Sequence, residues 1–223
     1  MWIRLSVCAA LGVILLLPSP AQAKQVYCQH SAAAPIVTVR TNDGDLRLDH
    51  SITTAQLQDR AREAKVRSST PGRAMGLTAA FMTVETKART SMSRATNGGL
   101  CAFFSHIDLT IQLKDLTVYI DQRYPKGTCQ YNEILRHESK HVSIYRRYAQ
   151  ELGMRYRAAI PSIVEKISPM LLRRQDESNQ LFQLLEAELQ PLLKQSQEGQ
   201  RKENGAIDTP QSYREFNRLC PSW

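Results

Sequence analysis

The feature that most restricts the fold of this chain is a change of hydrophobic period at Tyr124-Pro125-Lys126-Gly127-Thr128. Before that loop, Ile107, Leu109, Ile111 and Leu113 alternate with Asp108, Thr110, Gln112 and Lys114. After it, the apolar residues Ile134, Leu135, Val142, Tyr145 and Tyr148 follow helical spacing. A period of two lines one face of a strand, and a period near 3.6 lines one stripe of a helix. Strands first and helices after predict an α+β fold: a small, mainly antiparallel sheet, then a long helix and a C-terminal helical region.

The strand half begins with two short β-like runs, residues 35–40 and 46–48. Between them Asn42-Asp43-Gly44-Asp45 reads as a turn, which suggests a hairpin. A helix capped near Thr53 or Thr54 follows, with Leu57, Ala61 and Ala64 turned to the core and a loop at residues 68–72. Residues 77–88 read as one long strand, Asn97-Gly98-Gly99 as a turn, and Ile107 to Ile120 as two strands or one bent strand paired with it. Beyond the long helix, residues 158–193 read as two or three helical segments punctuated by Pro161, Pro169 and Pro191. A short closing helix is expected near residues 213–219, held by Cys220.

Residues 1–23 have the form of a secretory signal. Arg4 precedes an apolar run from Leu11 to Leu17, then Pro18-Ser19-Pro20 and the small-x-small site Ala21-Gln22-Ala23, so cleavage is expected before Lys24. That run is short for a bilayer core of about 30 Å, and Cys28 lies beyond the cut rather than at it, so neither a stable membrane span nor a lipid anchor is expected. The expected product is a periplasmic or secreted single domain, residues 24–223, with strands and one helix over 24–128 and helices over 129–223. Its four cysteines, Cys28, Cys101, Cys129 and Cys220, suit two disulfides in an oxidising compartment. Of three possible pairings, Cys101 with Cys129 and Cys28 with Cys220 is favoured, the second tying the two ends together. No C-x-x-C pair points to a cysteine metal site. The basic balance, 29 Lys+Arg against 21 Asp+Glu, meets no nucleic acid after export. It suits anionic lipid, cell-wall polymer, or solvent alone.

At the start of the long helix stand His137-Glu138-Ser139-Lys140-His141, the pattern H-E-x-x-H, in a chain with five histidines. Residues four apart on a helix project from one face, so both imidazoles can reach one metal ion at roughly 2.0 to 2.1 Å. Glu138 lies beside that pair, placed to act as general base on a zinc-activated water. His137 and His141 are thus the candidate metal ligands and Glu138 the candidate catalytic residue, with Zn2+ the expected cofactor.

A catalytic zinc has three protein ligands and an open position. No His follows His141, so the third ligand is expected to be a carboxylate. Glu151 lies about 15 Å of helix rise beyond His141, too far to share an ion. A returning helix offers Glu165 if the active helix ends at Gly153, and Asp176 or Glu177 if it runs to Pro161. His106, just before the Ile107 strand, is an outside candidate as ligand or oxyanion donor.

These residues resemble the zincin metallopeptidases, and more narrowly a bacterial family of predicted secreted zinc-dependent proteases. The resemblance spans about Gly76 to Leu152: a Thr/Val-rich strand, Cys101 ahead of Ile107-Asp108-Leu109-Thr110, Val118-Tyr119-Ile120, Tyr124-Pro125, Cys129, and Leu135 through Val142 around the motif. It implies zinc on His137 and His141 with Glu138 as base, and names no substrate. It also implies a sheet edge beside the active helix that pairs with an extended peptide, a part that Ile107–Leu113 or Leu116–Ile120 would play.

The leading expectation is therefore an exported zinc peptidase acting on a protein or peptide. Two alternatives stand beside it: a zinc hydrolase of a cell-wall amide, and a non-catalytic envelope interaction protein. The latter would present the helical stripe Leu181, Leu184, Leu185, Leu189 and Leu192 to a partner.

Overall fold

The computed structural model describes Cys28 and residues 34–63, 74–173, 178–220 and 222–223. The candidate export signal, Ala64 and the loop at 68–72 lie outside these residues, as do Asp176 and Glu177. The described elements are β1 (Ile36–Asn42), β2 (Arg47–Asp49), α1 (Thr54–Glu63), β3 (Gly76–Arg94), β4 (Leu100–Ile120), α2 (Cys129–Ile167), β5 (Met170–Leu172), α3 (Ser178–Ile207) and α4 (Pro210–Phe216). The fold is α+β, with a five-stranded sheet. Among the described residues no helix is long and apolar enough to cross a membrane.

β4 organises the sheet. It is one continuous strand whose bend falls at Asp115, a residue with φ 53°. β3 pairs antiparallel along its length, from Gly76 opposite Ile120 to Arg94 opposite Leu100. The connecting turn uses Gly98 at φ 84°, a conformation that suits glycine. The other edge of β4 carries β5, β1 and β2 end to end, opposite residues 100–102, 106–112 and 117–119.

β1 and β2 both run parallel to β4, so the expected hairpin between them does not form and the sheet is mixed rather than mainly antiparallel. The turn residues are where the sequence put them: Gly44 sits at φ 71° and its N–H donates to Asn42 Oδ1 at 3.0 Å. They serve a different end. A Cβ on Gly44 would lie 2.6 Å from the Leu113 carbonyl oxygen, so this glycine lets the link press against β4 while the chain continues in one direction. Arg146 of α2 donates to the carbonyls of Asp43 and Gly44, both at 3.3 Å, and fixes the link from above.

α2 runs back along the sheet from the C-terminal end of β4. Thr128 caps it, its Oγ1 accepting from Tyr131 N–H at 3.3 Å. It stops at neither Gly153 nor Pro161. Gly153 is a point of close approach, where a Cβ would lie 2.6 Å from Thr41 Oγ1 of β1. Pro161 is exposed, and Ile160 and Ile163 on either side of it are buried in the main core. That burial holds the helix across a residue that costs an exposed helix interior about 3 kcal/mol. α3 likewise continues through Pro191, and its Gly199 accommodates the Tyr148 ring of α2, 2.9 Å from where a Cβ would stand.

The main core joins Ile107, Leu109 and Ile111 of β4 to Leu152, Tyr156 and Ile160 of α2 and to Leu181, Leu185 and Leu189 of α3. The leucine stripe of α3 is therefore internal: Leu192 packs against the same cluster, and only Leu184, at 42% exposure, faces outward. A stripe spent on the core removes the surface on which the interaction-protein reading rested.

The disulfides are Cys28–Cys101 and Cys129–Cys220, not the favoured pairing. Cys101 and Cys129 flank β4 at opposite ends, about 60 Å of strand contour apart, and cannot meet. Cys28 instead bridges the β3–β4 turn region beside Ala95, and Cys220 reaches the first residue of α2.

Candidate metal centre

His137 and His141 lie in the third and fourth turns of α2, where the helix passes the first residues of β3. The third member of the group is Asp208, immediately after α3. His137 Nε2 is 2.9 Å and His141 Nε2 3.2 Å from the same oxygen, Asp208 Oδ1. Each of the three residues offers one ligand atom, all within 4.8 Å of one another, so the group could hold a metal ion.

The donor set fits zinc: two imidazole nitrogens and a carboxylate oxygen are a three-ligand combination that catalytic zinc sites use. At zinc–ligand distances of about 2.0 to 2.1 Å, two ligands of a tetrahedron stand about 3.3 Å apart. The observed 2.9 and 3.2 Å are within a few tenths of that edge. Without a metal, the same atoms serve one another as hydrogen-bond partners.

The electrostatics follow from burial and pairing. Burial opposes a charge on His141, but the Asp208 carboxylate, with Glu138 and Asn204, outweighs it and lifts this imidazole to about 8. Burial likewise works against ionised Asp208, and the hydrogen bonds from His137 and His141 hold it down at about 2. Glu138 is buried and its carboxyl is pushed up by desolvation, with His141, His137 and a Thr78 hydrogen bond pulling the other way. A carboxyl raised in this manner is a stronger base than an ordinary carboxylate, which suits proton transfer.

Several supporting residues escaped the sequence reading. Asn204 Oδ1 accepts from His141 Nδ1 at 2.7 Å, while Asn204 Nδ2 donates to the Gln200 carbonyl at 3.0 Å. The second bond fixes which end of the amide faces the ring. His141 therefore carries its proton on Nδ1 when neutral, which leaves Nε2 free to ligate. On the other side of Glu138, Thr78 Oγ1 donates to Glu138 Oε2 at 2.8 Å. Gly76 makes room for the same carboxylate: a Cβ there would lie 2.7 Å from Glu138 Oε1 and 2.7 Å from Ile134 Cγ2. Tyr145, one turn beyond His141, feels both Glu138 and Asp208, and burial followed by those two charges pushes its hydroxyl upward.

Other sequence candidates fall away on position. Glu165 is exposed and on α2 itself, 24 residues past His141, or about 36 Å of helix rise. His106 is paired in β4 opposite Ile36 and Arg89, 12 residues and about 40 Å of strand from Val118, which pairs with Thr78.

The position of Asp208 opposite the two histidines follows from the full lengths of both helices. His141 is 26 residues before the end of α2, and the residue 26 past the start of α3 is Asn204; for His137 the mirrored position is Asp208. The two helices are mirrored about the connection after Ile167, not about Gly153 or Pro161.

No protein-family model, no curated protein and no solved structure matches this chain.

Proposed function

We propose that this protein is an exported zinc-dependent peptidase, with His137, His141 and Asp208 holding the metal and Glu138 acting as general base. The observation that carries the reading is the convergence of two Nε2 atoms and one carboxylate oxygen beside a buried carboxylate on the same helix. Zinc bound there supplies Lewis-acid activation of a water molecule and of the substrate carbonyl near neutral pH. The chain's own residues supply the rest. Glu138, aimed by Thr78, accepts the proton and returns it to the leaving nitrogen. Asn204 keeps His141 in the ligating tautomer.

Neither segment first expected to pair with a peptide has a free edge, because β4 is hydrogen-bonded on both sides. Among the described residues the outer edge of β3 is the unpaired one beside the site, since Met75 and Gly76 lie against Glu138. An extended substrate would add there.

The test is Glu138→Gln in oxidised, zinc-loaded protein, assayed on an unstructured protein substrate such as casein. The expected result is one zinc per chain, as in the wild type, with hydrolysis reduced at least about a hundredfold, the scale of a lost general base. Undiminished hydrolysis by this variant overturns the mechanism.

A further inference from the structure

The space next to Glu138 is a cavity of about 10 Å³, room for about one water molecule. Two of its walls belong to long, well-anchored elements, the start of β3 and the third turn of α2. The remaining wall is α4, through Ser212 and Phe216. With α4 in this position the pocket beside Glu138 has room for about one water molecule and none for a peptide group.

α4 is the shortest of the three walls, and it is anchored through one residue, Phe216, which joins the cluster of Leu116, Val118, Tyr131 and Ile134. It has seven residues, and among its described side chains only Phe216 is buried. Phe216 sits against the His137 ring with centroids 6.0 Å apart, and against Trp223 at 4.4 Å. Local opening is cheapest where few apolar contacts hold an element. At its start, Ser212 Oγ donates to the Ile207 carbonyl at 2.7 Å, and Thr209 Oγ1 accepts from Ser212 N–H at 3.1 Å, so the helix start is held by its own local bonds rather than by bonds to β3 or α2.

Beyond its end, the chain is tied to the start of α2. Cys220 is bonded to Cys129, the Gln130 side chain donates to the Ser222 carbonyl, and Trp223 meets Tyr124 edge-on at 6.1 Å. Two of these ties reach the helix that carries His137 and Glu138, and the third reaches the loop just ahead of it.

We infer that α4 is a lid over the Glu138 side of the metal centre, restrained but not locked by the Cys129–Cys220 disulfide and the Phe216–Trp223 stack, and that a peptide reaches the site while this lid is transiently lifted. The inference rests on the hydrolytic reading for its purpose, but its geometry can be tested without metal or substrate.

The experiment measures diethyl pyrocarbonate labelling of His137 and His141 in metal-free protein, mapped by mass spectrometry, with His106 as internal reference. Three variants are compared with the full wild-type chain: Cys129→Ser/Cys220→Ser, Phe216→Ala and Trp223→Ala. The last changes a residue at 38% exposure and keeps the test open if the others fold poorly, each variant being checked by circular dichroism. The expected result is about tenfold faster labelling of His137 in the disulfide variant and in Phe216→Ala, about threefold in Trp223→Ala, and no change at His106. Release of zinc to a chelator should accelerate in the same order. Unchanged His137 labelling in every folded variant overturns the lid. Accelerated labelling in a protein that takes up no zinc supports the lid and overturns the hydrolase reading instead.

Discussion

Metal-free protein should lose about 2 kcal/mol of stability as the pH rises from about 6 to 9.5, and Asp208→Asn should remove most of that loss. Burial disfavours charge on His141, yet the hydrogen bond it donates to Asp208 leads a set of interactions that raise its pKa from 6.5 to about 8. A difference of about 1.5 at about 1.36 kcal/mol each gives the magnitude. Because the folded value lies above the unfolded one, the stabilisation is fully present below pH 6.5 and is lost as the pH rises through about 8. Asp208 shows this contact, together with the hydrogen bond it accepts from His137, from the other side: held at about 2 against an ordinary 3.8, it contributes stability above pH 3.8 that is lost as the pH falls through about 2. The two figures share the Asp208–His141 interaction and are not added. For a chain of this size 2 kcal/mol corresponds to about 4 to 8 °C in Tm. The assay is thermal melting of chelator-treated protein at pH 6 and 9.5, with the His141 imidazole followed by NMR titration. In Asp208→Asn the His141 pKa should fall to 6.5 or below and the alkaline loss should shrink to less than half. The reasoning is refuted if His141 titrates at or below 6.5 in the wild type, or if both proteins have the same pH profile.

Asn204→Ala leaves His141 Nδ1 without its acceptor and should weaken zinc about 10- to 100-fold, measured by competition with a chromophoric chelator, while the fold survives. Gly76→Ala places a methyl 2.7 Å from both Glu138 Oε1 and Ile134 Cγ2. It should cost about 1 to 3 kcal/mol in denaturant unfolding and reduce hydrolysis with zinc stoichiometry unchanged. Thr78→Val removes the donor to Glu138 Oε2, so the acidic limb of the pH–rate profile should move to higher pH relative to wild type.

Those parts of the molecule that depend on local pattern were legible in the sequence. Alternation from Ile107 to Leu113 and the turn at Asn97-Gly98 describe the β3–β4 pair, and the capping threonine ahead of Tyr131 marks where α2 begins. Ligand spacing at His137 and His141 needed no more than helix geometry.

What could not be read depended on tertiary contacts that outweigh local signals. Gly44 and Asn42 form the turn their types favour, but pairing to β4 and the hold of Arg146 carry the chain onward into a parallel strand. Gly153 and Pro161 look like helix ends, but one lets α2 approach Thr41 and the other is bracketed by buried isoleucines. Helix length decides which acid stands opposite the histidines, because a shorter α2 would bring back Glu165, Asp176 or Glu177 where the full-length helix brings back Asp208. Asp208 carried a faint signal of its own: it precedes Thr209-Pro210, where a new helix starts after a long one ends. An acid at such a junction has a fixed position that an acid in mid-helix on a solvated face lacks.

The central claim, a three-ligand zinc site formed by His137, His141 and Asp208, is tested most directly by metal analysis of the oxidised, folded protein after dialysis against trace zinc. The account predicts one zinc per chain in the wild type and in Glu138→Gln, with loss of stoichiometric zinc in His137→Ala/His141→Ala and weaker retention in Asp208→Ala. Folded wild-type protein without zinc, or Asp208→Ala binding it as tightly as the wild type, would contradict it.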